Sequence, residues 1–113
     1  MNNKGKLYVI GIGPGSLDEM SIRAKKAIEE SEIIVGYTKY IKLIEPLIEG
    51  KEVFSTGMRG ELERVEYALN KSKSKIVSII STGDAGIYGM AGPILELATD
   101  EEVIVIPGIT ARS

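Results

Sequence analysis

Three glycine-bearing segments hold the residues best suited to chemistry: 11–16 (GIGPGS), 81–92 (STGDAGIYGMAG) and 107–111 (PGITA). Glycine removes side-chain bulk and lets a ligand approach the backbone. In the second segment the glycines at 83, 86, 89 and 92 recur every third residue. Glycine inside a helix costs about 1 kcal/mol relative to alanine, so this repetition points to close approach by a ligand or by another helix. Asp84 stands beside Gly83, where a carboxylate serves either as a helix N-cap or as a polar anchor for a ligand. The chain contains no His and no Cys. Zinc sites built on those residues, thiol nucleophiles, imidazole bases and disulfides are therefore excluded, and chemistry has to run on carboxylates, hydroxyls, amines, backbone groups or a cofactor.

The familiar nucleotide motifs do not account for these loops. GIGPGS places Ser16 where the third glycine of G-x-G-x-x-G belongs and Pro14 where a backbone donor would be useful. The second apolar run continues into Gly36 and Tyr37, with no acid for a ribose hydroxyl. No G-x-x-x-x-G-K-[ST] run exists, which excludes a P-loop. Taken alone, GIGPGS also reads as a tight turn pinned by Pro14.

These loops need elements to position them. Short apolar, β-branched runs predict strands at 6–12, 33–35, 52–54, 75–80 and 103–106. Between them, helical periodicity predicts helices at 21–30, 37–48, 61–70 and 87–98, with Pro46 interrupting the second. Ile22, Ala24, Ala27 and Ile28 form the expected buried stripe of the first helix, and Leu62, Val65 and Leu69 that of the third. Strands alternating with helices predict an α/β fold, a five-stranded mostly parallel sheet flanked by helices. In such a sheet ligands bind at the carboxyl ends of the strands, where all three glycine loops fall.

Hydrophobic residues at 43% against 27% charged fit a chain with a packed core. A net charge of -2 gives no global attraction to nucleic acid or an anionic membrane. No apolar run approaches the roughly 20 residues of a bilayer span, and the N-terminus does not read as a signal peptide, so the expected location is cytoplasmic. After the fifth strand, PGITARS opens what reads as another loop and helix. The expectation is that residues 1–113 form the first domain of a longer protein.

GIGPGS, STGDAGIYGMAG and PGITA, in this order and at these strand ends, resemble the tetrapyrrole (corrin/porphyrin) methylases across essentially the whole chain. The run GDAGIYGMAG, with VGYTKYI and the GMR of residues 57–59, is most similar to the branch that methylates C17 of precorrin-3B or its cobalt form with ring contraction. The resemblance implies an N-terminal α/β domain of a two-domain fold, with S-adenosyl-L-methionine and a tetrapyrrole in the cleft between domains and a homodimeric assembly. It implies that Pro14, Thr82, Gly83, Asp84, Ile87, Thr110 and Ala111 border the cofactor. Gly13, Gly15, Tyr37, Met58 and Arg59 then face the substrate. Some relatives carry an acid where this chain has Tyr37, so no proton-acceptor role transfers to it. Arg59 suits a substrate carboxylate or an ordinary solvent-facing position. No catalytic acid or base is assigned and no metal is implied. The competing readings are a methylase acting on another ring carbon and a binding or structural module without activity.

Overall fold

The computed structural model describes residues 5–12, 22–57, 59–82, 92, 94, 96 and 102–106. Five strands form one sheet: β1 (Lys6–Ile12), β2 (Ile33–Tyr37), β3 (Glu52–Thr56), β4 (Ile76–Thr82) and β5 (Glu102–Ile106). Their order is β3-β2-β4-β1-β5, and every pairing is parallel. The expected α/β architecture is thus present, and parallel throughout.

Helix α1 (Ile22–Glu30) follows β1, α2 (Thr38–Leu43) follows β2 and α3 (Glu61–Lys71) follows β3. The second helix is shorter than its periodicity predicts. It gives way at Ile44 to a single 3-10 turn, Glu45–Leu47, because Pro46 has no amide hydrogen to continue an α-helical ladder. Within the span expected to form the fourth helix, Gly92, Ile94 and Glu96 are helical, and its other residues lie outside those described.

Alternation along the strands divides the core into two layers. Tyr8, Ile10, Ile34, Ile80 and Ile106 pack on one face against Ala24, Ala27 and Ile28 of α1 and Ile41 of α2. Leu7, Val9, Ile33, Val35, Val77 and Ile79 pack on the other against Val65, Ala68 and Leu69 of α3 and against Ile94. Each fully buried isoleucine or leucine contributes about 1.5–3 kcal/mol. This two-sided burial explains why the strands read as continuous apolar runs.

Two apolar residues depart from the expected stripes. Ile22 is 75% exposed and Leu62 is 59% exposed. Both occupy the first turn of their helix. The apolar residues that do pack are Ala24, Ala27 and Ile28 in α1 and Val65, Ala68 and Leu69 in α3.

The carboxyl end of α1 receives a cap from elsewhere in the chain. Lys51 Nζ donates to the Glu29 carbonyl at 2.9 Å and to the Ser31 carbonyl at 2.8 Å, while the last turn of α1 has no basic residue of its own. A cation there satisfies carbonyls left open at the helix end and suits the helix dipole.

Candidate functional site

The topology determines where a ligand can enter. From β1 and β2 the chain passes to α1 and α2 on one face, whereas from β3 it passes to α3 on the other. From β4 it reaches Ile94, also on that second face. Across the order β3-β2-β4-β1, successive strands therefore send their chains to opposite faces. Open parallel sheets bind ligands where neighbouring strands part in this way, outside their carboxyl ends.

Register defines that edge residue by residue. Ser55, Gly36, Ile80, Ile10 and Ile106 form one row across all five strands. In the next row Tyr37 stands opposite Thr56, and Gly11 stands opposite Ser81. Gly11 and Ser81 are both buried and small, so the floor between β1 and β4 is low just before the two glycine loops begin. Thr82, the last residue of β4, pairs with Ile12 at the same edge.

Tyr37 is half-buried and is the N-cap residue of α2, with extended φ and ψ of -68° and 138°. Its ring meets Tyr40 edge-on, with centroids 5.0 Å apart and an interplanar angle of 84°. Gly36 allows this arrangement, since a Cβ there would lie 3.0 Å from Ile41 Cδ1 and 3.3 Å from Ile80 Cβ. The side chain of Thr38 ties the end of β2 to the end of β3, donating from Oγ1 to the Thr56 carbonyl at 3.1 Å.

Arg59 is exposed in the connection between β3 and α3. Beneath it lies a residue that the sequence reading passed over. Arg64 is only 6% exposed and is the one charged side chain among the buried described residues. Its Nη1 donates to Thr56 Oγ1 at 2.7 Å and to the Gly57 carbonyl at 3.0 Å. Thr56 Oγ1 donates to the same carbonyl at 3.0 Å, and the Gly60 amide does so at 3.1 Å. The Arg64 Nε is buried without a hydrogen-bond partner. A signal was available: Arg64 precedes Ala68 by four residues and so stands on the apolar stripe of α3 beside Val65 and Leu69.

The structure thus brings Tyr37, Thr82 and the connection bearing Arg59 to one edge. The expected site residues Gly13, Pro14, Gly15, Met58, Gly83, Asp84, Ile87, Thr110 and Ala111 lie outside the described residues. A groove of about 560 Å³ lined by Ile41, Glu45, Pro46, Ile48, Glu49 and Val53 contains none of the expected site residues. Among the described residues, no cluster of carboxylates could hold a metal ion, and no helix is long and apolar enough to cross a membrane.

Known proteins share this sequence and this architecture. The family profile for Tetrapyrrole (Corrin/Porphyrin) Methylases matches residues 6–113. Cobalamin biosynthesis protein CbiHC of Archaeoglobus fulgidus is 50% identical over 98% of this chain and 26% of its own length. A probable cobalt-factor III C(17)-methyltransferase of Salmonella typhimurium is 47% identical, over 93% of this chain and 46% of its own length. The chain therefore spans about a quarter to a half of these curated relatives. Among solved structures, the methyltransferase CobJ superposes with a TM-score of 0.80 at 34% identity, covering 95% of this chain and 47% of that one. With the profile spanning nearly every residue and the parallel sheet superposing on CobJ, the chain belongs to the tetrapyrrole (corrin/porphyrin) methylase family.

Proposed function

We propose that this chain forms one wall of the active site of an S-adenosyl-L-methionine-dependent C-methyltransferase. Its substrate is precorrin-3B or the cobalt form, methylated at C17 with ring contraction in cobalamin biosynthesis. The observation that carries this reading is the near-complete coverage of the chain by relatives named for C17 methylation, at identities of 40–47% for three of them. A relative named for C5 methylation of cobalt-precorrin-7 is 30% identical, which favours the C17 branch over its sisters.

The cofactor supplies an electrophilic methyl group on a sulfonium sulfur. The parting of β1 from β4 over a floor of Gly11 and Ser81 fits a bulky ligand held against backbone. Pro14, Thr82, Gly83, Asp84, Ile87, Thr110 and Ala111 are the residues proposed to hold it. Asp84 is proposed as a polar anchor for the cofactor, with no proton-transfer role assigned to it. Transfer from a sulfonium disperses charge, so alignment and exclusion of water do most of the catalytic work and no histidine is required. Gly13, Gly15, Tyr37, Met58 and Arg59 are proposed to face the macrocycle, with Arg59 pairing with a ring carboxylate. The reaction is placed in the cytoplasm.

The test uses the full-length protein, with calorimetry for S-adenosylhomocysteine and absorbance for the tetrapyrrole product. Gly83→Val should abolish cofactor binding while leaving the fold intact by circular dichroism. Near-normal affinity in a folded Gly83→Val protein would overturn the assignment of this loop, and failure of the wild type to methylate the tetrapyrrole would overturn the function.

A further inference from the structure

We propose that Arg64 is a positioning residue, holding Gly57 and Gly60 so that Arg59 between them is presented to the carboxylates of the tetrapyrrole. The inference rests on the reading that the connection after β3 faces the substrate.

Burying a guanidinium is costly, and apolar side chains of similar volume often serve stability as well or better. Here the buried guanidinium bonds through Nη1 alone to two neutral acceptors, Thr56 Oγ1 and the Gly57 carbonyl, and its Nε has no partner. The arrangement therefore does not maximise stability. It does concentrate three donors on a single carbonyl: Arg64 Nη1, Thr56 Oγ1 and the Gly60 amide all converge on Gly57 O. A surface connection would otherwise sample many shapes, and three bonds at one acceptor select one of them.

Neither core layer contains Thr56, Gly57 or Gly60, so the apolar packing does not require this order. The order extends to the neighbouring strand through Thr38 Oγ1 and the Thr56 carbonyl, which couples the shape of the connection to the position of Tyr37. Arg59 projects from a connection whose two flanks are pinned. Preorganising a charged group in this way strengthens recognition by removing the cost of ordering it on binding.

The experiment measures steady-state methylation of precorrin-3B by the full-length protein, with the Kd for S-adenosylhomocysteine determined in parallel. Arg64→Met should raise KM for the tetrapyrrole by about tenfold or more, with kcat and cofactor Kd within about twofold of wild type. Arg64→Lys should fall between them, because an ammonium keeps the charge and can donate to both acceptors but, on its shorter flexible stem, does not reproduce the planar guanidinium's placement of Nη1. Thr56→Val should raise KM by a smaller factor, since Gly57 O still anchors the guanidinium, and Thr56→Ser should restore the wild-type value. If Arg64→Met does not fold, the Thr56→Val and Thr56→Ser pair decides the question alone. An unchanged KM in the folded variants overturns the proposal, as does a parallel loss of kcat, KM and cofactor affinity that tracks the denaturation midpoint. A wild type that neither binds nor methylates the tetrapyrrole removes the functional reading as well, whereas active wild type with unaffected variants removes only this inference.

Discussion

Two glycines flank the same connection, and the structure assigns them opposite responses to alanine. At Gly60, φ is -93° and ψ is 27°, which alanine adopts without strain. The obstacle is Thr56: an added Cβ would lie 2.4 Å from its Oγ1, 2.7 Å from its Cβ and 3.2 Å from its Cγ2. Ordinary contact begins at 3.4 Å, so the hydroxyl must withdraw by about 1 Å from a place where it sits 2.7 Å from Arg64 Nη1. Losing a hydrogen bond to a charged group costs about 1.5–3 kcal/mol. The lower backbone entropy of unfolded alanine offsets about 0.4–1 kcal/mol of that. Gly60→Ala should therefore destabilise by at least about 0.5–2.6 kcal/mol, because moving the hydroxyl leaves the 2.7 Å contact to Thr56 Cβ unrelieved. A Cβ on Gly57 meets nothing within 4 Å, and its φ is not positive. Gly57→Ala should be neutral or more stable by up to about 1 kcal/mol. Urea denaturation of both full-length variants beside the wild type, followed by circular dichroism, measures the difference. A Gly60→Ala protein as stable as the wild type, or a larger loss in Gly57→Ala, would refute the packing assigned to Thr56.

Two further outcomes follow from particular contacts. Burial raises the Tyr67 hydroxyl above its ordinary value of 10.0, and the hydrogen bond it donates to Glu52 and the charge of that carboxylate act in the same direction. A folded value above the unfolded one means that stability is fully present below pH 10.0 and is lost as pH rises through the folded value. Tyr67→Phe should flatten this alkaline decline, read as urea midpoints at about pH 9 and about pH 11; an unaltered decline would remove Tyr67 as its source. On α3, Leu62→Ser should change stability by no more than about 0.5 kcal/mol, whereas Leu69→Ala should cost about 2–5 kcal/mol. Equal losses at the two positions would contradict the exposure of Leu62.

Most of the fold was legible because its central strands β1, β2 and β4 are buried on both faces. Runs such as LYVI in β1 and IVSII in β4 are apolar almost without a break, which in a short segment bounded by turn residues leaves few alternatives to a parallel-sheet strand. Helices α1 and α3 were legible from Ala24, Ala27 and Ile28 and from Val65 and Leu69, whose spacing matches the faces they bury. Helix α2 was overextended because its apolar residues Ile41, Ile44 and Ile48 keep helical spacing across the 3-10 turn, so periodicity alone could not show where Pro46 ends the α-helix. The glycine loops were read as binding elements from residue type and strand ends alone. Their residues 13–15, 83–84, 87 and 110–111 lie outside those described, so the cofactor assignment stands on motif order and strand ends.

The departures between sequence reading and structure fall largely on one edge. Strands β2, β3 and β4 each run two residues beyond their apolar cores, through Gly36 and Tyr37, Ser55 and Thr56, and Ser81 and Thr82. Backbone pairing continues there. Ile22 and Leu62, the most exposed of the large apolar residues described, begin the helices that follow β1 and β3. Arg64, a charge on an apolar stripe, anchors its bonds at the end of β3. Each departure breaks a local rule: strand ends that are small and polar, apolar side chains in solvent, and a guanidinium without a carboxylate among its bonded partners. Proteins tend to break such rules where function imposes its own demands. A site that receives a large, flat, charged ligand needs low bulk between strands, apolar contact at its rim and fixed cations. In the proposed reading the carboxyl edge of this sheet supplies these with Gly11 and Ser81 between β1 and β4, Ile22 and Leu62 at the helix starts, and Arg64 bonded to the connection that carries Arg59.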